Sequence, residues 1–344
     1  MLRVASVIGR EFTRELLIDA MGGKPHVSHA LERLKASGLI QQTNVTAQVG
    51  YRFKHVLTQE VTYESLLDHQ RRSLHHIIGR ALEHQHSHGT GEHAELLAYH
   101  FARAEAWDPA VQHGRRAADR ASALSRFADA LTMLDRVQDW VTRLPDNAAR
   151  CDLVADVLLQ QERLCETLGL RGRQQQIVGE LITLLAPRGA SPRLTLAYLR
   201  QGDLLTLLKR FDAADRALST ALRMSRERGD AALERNALRS IGLLRWHEER
   251  HTEALAITQS TIAIDRERCD DLAVAGDLAN LGVIYKSMGE YSRAIACFEE
   301  ALSIPALSED PSTLVYSLQN LANVHRSLGN LDRALQYLRL GNET

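Results

Sequence analysis

A shift of 40 residues brings the chain into register with itself, and this internal period constrains the fold more than any other feature of the sequence. Gly202, Gly242, Gly282 and Ala322 fall in one column. Ala214, Ala254, Ala294 and Ala334 fall in a second column twelve places later. Phe211, His251, Tyr291 and Leu331 stand three places before each of those alanines. Four alanines in one preset column arise by chance about once in ten thousand, if alanine fills roughly a tenth of positions. Within each unit the apolar residues recur at helical spacing, so a unit reads as helix A, a short turn and helix B. Two antiparallel helices approach to about 8–10 Å only where small side chains lie at the crossing. Gly282 on helix A and Ala294 on helix B are expected to supply that crossing, with Leu281, Tyr285, Tyr291 and Phe298 filling the space around it. Ser287-Met288-Gly289-Glu290 and Ser327-Leu328-Gly329-Asn330 read as turns in which glycine ends helix A. Ser191-Pro192 and Asp310-Pro311 read as a capping residue followed by a first-turn proline.

Composition supports helices over sheets. Of the 344 residues only 5% are aromatic and only seven are proline, poor material for a β-sandwich. Forty-two Lys and Arg against 43 Asp and Glu leave no global field to attract nucleic acid or a membrane. Apolar runs fall short of the roughly 18–20 residues that span a bilayer. Arg10, Glu11 and Arg14 interrupt any signal-peptide core after Met1. Cys151, Cys165, Cys269 and Cys297 are widely spaced, which suits a reducing, cytoplasmic setting with the thiols as small core residues.

The residues Asn280-Leu281-Gly282-x-x-Tyr285, Gly289-x-Tyr291, Ala294, Phe298 and Ala301 resemble a tetratricopeptide repeat. The 40-residue period is similar to the long-helix variants used in signalling scaffolds. Four copies are clear between about Ser191 and Leu340. A weaker copy covers about 152–186, where Gly169 keeps the turn and Gln174 replaces the alanine. Half-matching units stand at Trp107, Ala110 and Ala117 and at Phe127, Ala130 and Leu134.

Residues 1–90 do not follow the period. Phe12–Met21 and His26–Ala36 read as helices, and Leu39–Gln42 and Val49–Phe53 as strands around a polar turn at Thr43–Gln48. One helical stretch from about Thr58 to His84 is expected to follow. Helix, helix and hairpin outline a winged helix. Val7-Ile8-Gly9-Arg10-Glu11-Phe12, Leu31-x-x-Leu34-x-x-x-Gly38-Leu39-Ile40 and Tyr51-x-Phe53-Lys54-His55 resemble a segment of large bacterial regulators. Glu60-x-x-Tyr63-x-x-Leu66 and Arg71-x-x-Leu74-His75 continue the likeness. These regulators are the signal-transduction ATPases with numerous domains, or STAND proteins, often linked to cyclases. The resemblance implies an ATPase domain before a winged helix and a tetratricopeptide sensor array.

No phosphate-binding loop is present in this sequence. Such a loop needs GxxxxGK[ST], and Gly23-Lys24 is followed by Pro25. Asp270-Asp271 follow Arg268-Cys269 rather than an apolar strand. No Ser/His/Asp or Cys/His constellation is readable from spacing, so no catalytic residue is assigned. Eleven Lys and Arg against seven Asp and Glu within 1–80, with His26, Arg33 and Lys35 on the second helix, raise a DNA-binding reading. A denser basic face marks most DNA readers, so a module that relays motion is preferred. His84, His86, His88 and His93 raise a metal site, but no Cys or Asp stands at ligand spacing and a solvated turn is preferred, with Gly89-Thr90-Gly91 beside it.

The expected architecture is all-α: a right-handed tetratricopeptide superhelix of about 40-residue repeats, preceded by a small winged-helix domain with a short β-hairpin. Residues 1–90 form the winged-helix-like domain and connecting helix, 91–150 degenerate helical repeats, and 151–344 the repeat array. In the family it resembles, helix A side chains line a concave groove. In this register those positions are Asn236, Arg239, Trp246, Asn280, Lys286, Tyr316, Asn320, Asn323 and Arg326. An asparagine amide can both donate to and accept from a partner backbone, and Arg and Lys favour carboxylates. The alternative role for these asparagines is to cap or brace neighbouring helices. The short final helix and the start at Val4-Ala5-Ser6-Val7 lead us to expect a fragment, a split-gene remnant, or a chain that pairs its exposed end with a partner. The expected function is a non-catalytic scaffold and sensor that binds a protein or peptide without cofactor, metal or membrane. In a complete regulator it would bias an ATPase or cyclase in cis. The alternatives are a DNA-binding regulator that uses the winged helix, with the array as effector receiver, and a subunit that completes an ATPase or cyclase in trans.

Overall fold

A computed structural model describes residues 1–23, 26–45, 48–85 and 92–343. It divides into two compact units, Met1–Gln174 and Gln175–Thr344.

The first unit opens with α1 (Leu2–Ile8), β1 (Glu11–Thr13), α2 (Arg14–Ala20), α3 (Val27–Ala36), β2 (Ile40–Val45) and β3 (Gln48–Phe53). The strands form an antiparallel sheet in the order β1-β3-β2, with Phe12 opposite Tyr51 and Ile40 opposite Phe53. Phe12, Leu17, Leu31, Ile40 and Phe53 make its buried core. The segment expected to be helical from Phe12 begins instead as a strand. Glu11 pairs with Arg52 across the sheet at 3.5 Å, and the Thr13 hydroxyl then accepts the Leu16 N–H at 3.2 Å, so the helix starts one residue after its cap. A 3-residue strand with no partner in its own neighbourhood is set by β3, which a local reading does not see.

The single helix expected over 58–84 is two helices, α4 (Val56–Glu64) and α5 (Asp68–Gln85). The break is held by Arg71, whose guanidinium donates to the carbonyls of Leu66 at 3.0 Å and Glu64 at 2.9 Å. The carbonyls left open where α4 ends are thereby satisfied. Four further helices follow, α6 (Ala94–Arg103), α7 (Trp107–Ala123), α8 (Phe127–Thr142) and α9 (Ala148–Thr167), each packed on the next. Helix α10 (Arg171–Leu185) crosses the division between the units. Lys24, Pro25, His86, His88 and the Gly89-Thr90-Gly91 turn lie outside the described residues.

The second unit is built of helix pairs: α11 (Pro192–Leu207) with α12 (Phe211–Arg228), α13 (Ala231–His247) with α14 (His251–Glu267), α15 (Asp271–Ser287) with α16 (Tyr291–Ser303), and α17 (Pro311–Ser327) with α18 (Leu331–Glu343). Ser191 caps α11 by accepting the Leu194 N–H at 3.2 Å, and Asp310 caps α17 through the N–H groups of Ser312 and Thr313. Both proline signals were therefore read in their true role.

At the crossing the side chain nearest Gly282 is Phe298, one of the residues expected around it, rather than Ala294. A Cβ placed on Gly282 would stand 2.7 Å from the Phe298 ring, one on Gly202 would strike Leu218, and one on Gly242 would meet Thr258 Oγ1 at 3.4 Å. The partner therefore sits sixteen residues after each glycine, at Leu218, Thr258 and Phe298. Ala294 is fully buried, but the atoms nearest Gly282 are those of Phe298. Removing one side chain lets a large one from the paired helix fill the space, which satisfies close packing better than two small residues would.

A second 40-residue column sits in the turns. Gly169, Lys209, Glu249, Gly289 and Gly329 all hold left-handed backbone, with φ of 69°, 58°, 61°, 77° and 79°. The turn shape is kept even where Lys or Glu replaces the residue that adopts it without steric cost. The weak copy also becomes intelligible. Glu162 occupies the glycine column and Gln174 the alanine column, and both are buried. The Gln174 amide donates to Glu162 Oε1 at 2.7 Å, so a hydrogen-bonded polar pair replaces the apolar crossing. Cys165 and Cys297 are buried as expected, whereas Cys269 is exposed in a turn at φ 55°, which corrects its assignment to the core.

Candidate functional site

Helices α13, α15 and α17 are the successive helix A members of the second unit, and they carry all nine expected groove residues. Asn236, Arg239 and Trp246 stand on α13, Asn280 and Lys286 on α15, and Tyr316, Asn320, Asn323 and Arg326 on α17. Arg239, Trp246, Asn280 and Tyr316 come together around one slot of about 40 Å³, whose remaining lining includes Leu243, Thr258, Asp277 and Val283. That is room for about one water molecule or a small side-chain tip. Leu243 and Tyr316 are exposed at 44% and 42%, large apolar surfaces on the rim that water would leave favourably.

Two hydrogen bonds tie the three helices in series. Trp246 Nε1 donates to Ser287 Oγ at 2.9 Å, from α13 to α15. Lys286 Nζ donates to Asn320 Oδ1 at 2.8 Å, from α15 to α17, and Asn320 Nδ2 donates to the Tyr316 carbonyl at 3.0 Å. Asn320 is buried and its amide is engaged on both sides, which is the bracing role that any helix A asparagine can take. Burial pulls the Lys286 amine below its ordinary pKa.

Beneath the slot lies a charge network that the sequence pattern did not reveal. Asp265 on α14 and Asp277 on α15 are both fully buried. Arg235 Nη1 pairs with Asp265 at 3.0 Å and with Asp270 at 2.7 Å. Arg239 Nε lies 2.6 Å from Asp277 Oδ1, an ion pair without hydrogen-bond alignment, since those atoms lack an aligned partner. Arg239 is thus held from below, with its guanidinium at the slot. Asp270 also caps α15 by accepting the Ala273 N–H at 3.2 Å, and its Arg235 hydrogen bond holds its carboxyl below the usual range. The only signal for Asp277 was an acid inside an otherwise apolar run, Ala275-Gly276-Asp277-Leu278-Ala279.

The remaining expected residues have unspent capacity. Among the described residues, the side-chain amides of Asn236, Asn280 and Asn323 and the guanidinium of Arg326 make no hydrogen bond or ion pair. The slot is lined by hydroxyls, an amide, a carboxylate and a guanidinium, with no His or Cys among them. Such a set can recognise backbone and side-chain groups.

The first unit holds a buried histidine pair on α5 and α6. His75 Nδ1 lies 3.0 Å from His100 Nδ1, and His75 Nε2 lies 3.1 Å from the Tyr63 hydroxyl. Burial, with the neighbouring His100 and Arg103 charges, pulls His75 down to about 3, and burial pulls His100 down to about 4. Both rings are therefore neutral at pH 7, and the pair serves packing and hydrogen bonding. His76 beside it is exposed. On α3, Lys35 pairs with Glu32 at 2.8 Å and Arg14 donates to Ser28 at 2.6 Å.

The helix pairs and their columns decide the repeat type. The chain carries tetratricopeptide repeats. The tetratricopeptide repeat family model matches residues 233–306 and again 274–340. The model for anaphase-promoting complex subunit 5 matches 121–245. An uncharacterized protein of Rhizobium meliloti (strain 1021) is 28% identical over 147 residues, which is 42% of this chain and 14% of that protein. The chain therefore spans a small part of the length of this curated relative. Among solved structures, a Signal Transduction ATPase with Numerous Domains (STAND) protein with a tetratricopeptide repeat sensor, from Pyrococcus horikoshii, aligns with a TM-score of 0.53 at 17% identity, over 98% of this chain and 48% of that one. NprR in complex with its cognate peptide NprX aligns with a TM-score of 0.55 at 16% identity, over 77% of this chain and 72% of that one. At these identities the likeness is one of fold. No helix among the described residues is long and apolar enough to cross a membrane.

Proposed function

We propose that this chain is a non-catalytic interaction and sensor region whose α13–α15–α17 face takes an extended peptide or protein segment. The observation that carries the reading is the slot itself. Exposed Leu243 and Tyr316 flank a mainly apolar slot that Arg239, Asp277 and Asn280 edge with polar groups, while Asn236, Asn280, Asn323 and Arg326 along the same helices hold unspent donors and acceptors. An extended backbone would bond to the asparagine amides, with an apolar side chain on Leu243 and Tyr316 and a carboxylate on Arg326. Asn320, Lys286, Trp246 and Arg239 hold the face in shape while presenting their edges to it. A fold-mate that binds a cognate peptide supports this class of ligand.

The finer reading concerns the rest of the chain. Residues 1–90 serve as a winged-helix-like module and 91–150 as degenerate repeats leading into the array at 151. The β2–β3 hairpin after α3, joined by β1, supports the first assignment. A STAND fold-mate with a repeat sensor supports a role in which ligand occupancy biases an ATPase or cyclase domain, in cis or in trans. Selection of a phage-displayed dodecamer library against the full chain tests the groove. Selected peptides should lose at least about tenfold in affinity for the Asn236→Ala, Asn280→Ala, Arg326→Ala triple variant, about 1.4 kcal/mol. Unchanged affinity for a variant of unchanged helicity would remove the assignment.

A further inference from the structure

The first unit contains a second and larger groove, of about 840 Å³, between α6 and α8 and reaching Trp107 at the start of α7. Its walls mix aromatic and aliphatic side chains with charged ones. Leu96 and Tyr99 of α6 are exposed at 40% and 46%, and Trp140 of α8 faces them across the groove. The Trp140 ring is placed by Gly114 of α7, where a Cβ would stand 2.9 Å from the ring. Two cation–aromatic stacks line the same space: Arg103 Cζ is 5.7 Å from the Tyr99 ring centre, and Arg143 Cζ is 5.1 Å from that of Trp107.

The charges there are not balanced. Arg143 pairs with Asp139 at 3.3 Å. The exposed guanidiniums of Arg103 and Arg136 have no carboxylate partner among the described residues. The groove continues past Arg136 into an adjoining hollow of about 350 Å³, where Arg126 pairs with Asp129 at 2.7 Å and Arg120 with Glu92 at 3.5 Å. What remains is two unpaired cations on α6 and α8 against one exposed acid, Glu95, at the junction of the two spaces.

We propose that this groove is a second binding site, for an extended peptide segment in which one or two carboxylates lie within a residue or two of a large aromatic or aliphatic side chain. Unpaired guanidiniums favour carboxylates through charge-assisted, bidentate bonds. Leu96 and Trp140 offer an apolar bed for the neighbouring side chain, beside the arginine-stacked rings of Tyr99 and Trp107. A track that runs on past Arg136 suits an extended chain better than a compact ligand. Glu95 disfavours a long acidic run, so the segment carries one or two acids rather than a tract. The site uses residues of the first unit alone and does not rest on the α13–α17 reading.

Labelled, capped hexapeptides with one Phe and two Glu in every arrangement, each matched by a Gln-for-Glu twin, test it on the full chain by fluorescence anisotropy. At least one Glu peptide should bind about tenfold or more tighter than its twin, with that margin shrinking as salt rises. Arg103→Gln with Arg136→Gln should abolish the margin, while the Asn236, Asn280, Arg326 triple variant should keep it. Hydrogen exchange of the unmodified chain should show the bound peptide protecting α6 and α8, a readout that needs no variant to fold. Equal binding or no binding by all twins, a margin that survives the double arginine variant, or protection confined to α13–α17 would each overturn the proposal.

Discussion

Where α15 packs on α16, a missing side chain at Gly282 admits the Phe298 ring into an apolar cluster. Where α5 packs on α6, the space is shared by His75, His100 and Tyr63 joined through their ring nitrogens and a hydroxyl. Between α9 and α10 the same columns that hold glycine and alanine in the regular repeats hold Glu162 and Gln174. The α15–α16 contact is thus closed by shape, and the α5–α6 and α9–α10 contacts by hydrogen bonds. Shape complementarity is insensitive to pH but intolerant of volume change. Buried polar pairs have the opposite character: they tolerate small movements yet fail when one partner changes its protonation or is removed.

The sharpest break of this comparison is Phe298→Ala. It should destabilise the second unit by about 3–5 kcal/mol, read by urea unfolding, because Gly282 provides no atoms to refill the void. A cost under about 1 kcal/mol would mean the glycine column is not what locks the helices. Acid should strike the first unit. Both histidines have folded-state pKa values below the ordinary 6.5, so the unfolded chain binds protons that the folded one refuses. Their contribution is complete above pH 6.5 and is lost as pH falls from 6.5 toward about 4 and then 3. Hydrogen-exchange protection factors in α5 and α6 should therefore drop by up to about tenfold per pH unit for each histidine between pH 6.5 and about 4, while those of α15 and α16 hold. Parallel loss in both units would erase the distinction.

A smaller effect is expected at the weak repeat. Gln174→Ala should cost about 1–3 kcal/mol by leaving the buried Glu162 carboxylate short of a donor. The double variant with Glu162→Ala should cost less than the sum of the two single changes, which a thermodynamic cycle measures. Simple additivity would show that the pair is not a unit. The smallest change tests the turn column. Glu249 holds φ 61°, so Glu249→Gly should stabilise by up to about 1 kcal/mol, whereas the same exchange in a helix interior such as Glu299→Gly should destabilise. Loss of stability at Glu249 would mean its side chain earns more than its backbone strain costs.

The 40-residue register puts the nine expected residues on three successive A helices. It did not separate residues that brace from residues left open. Asn280 and Asn320 occupy the same register position, yet only Asn320 has a lysine within reach on the preceding helix. The Asp265 and Asp277 network escaped for a related reason: an acid in an apolar run gives no hint of which arginine will meet it. The aromatic groove of the first unit was equally hidden, since Tyr99, Trp107 and Trp140 share no periodic column and converge only through the packing of α6, α7 and α8.

The sequence by itself determined the helix pairs, their caps and turns and the repeat type, because these depend on spacing within about 40 residues and on local backbone chemistry. Tertiary structure alone decided that Phe298, expected beside the crossing, meets Gly282 at it in place of Ala294, that Glu11–Thr13 becomes a strand, and which polar side chains are spent in bracing. Each of those outcomes is set by a partner distant along the chain, and the distance between side chains in space is not written in their order.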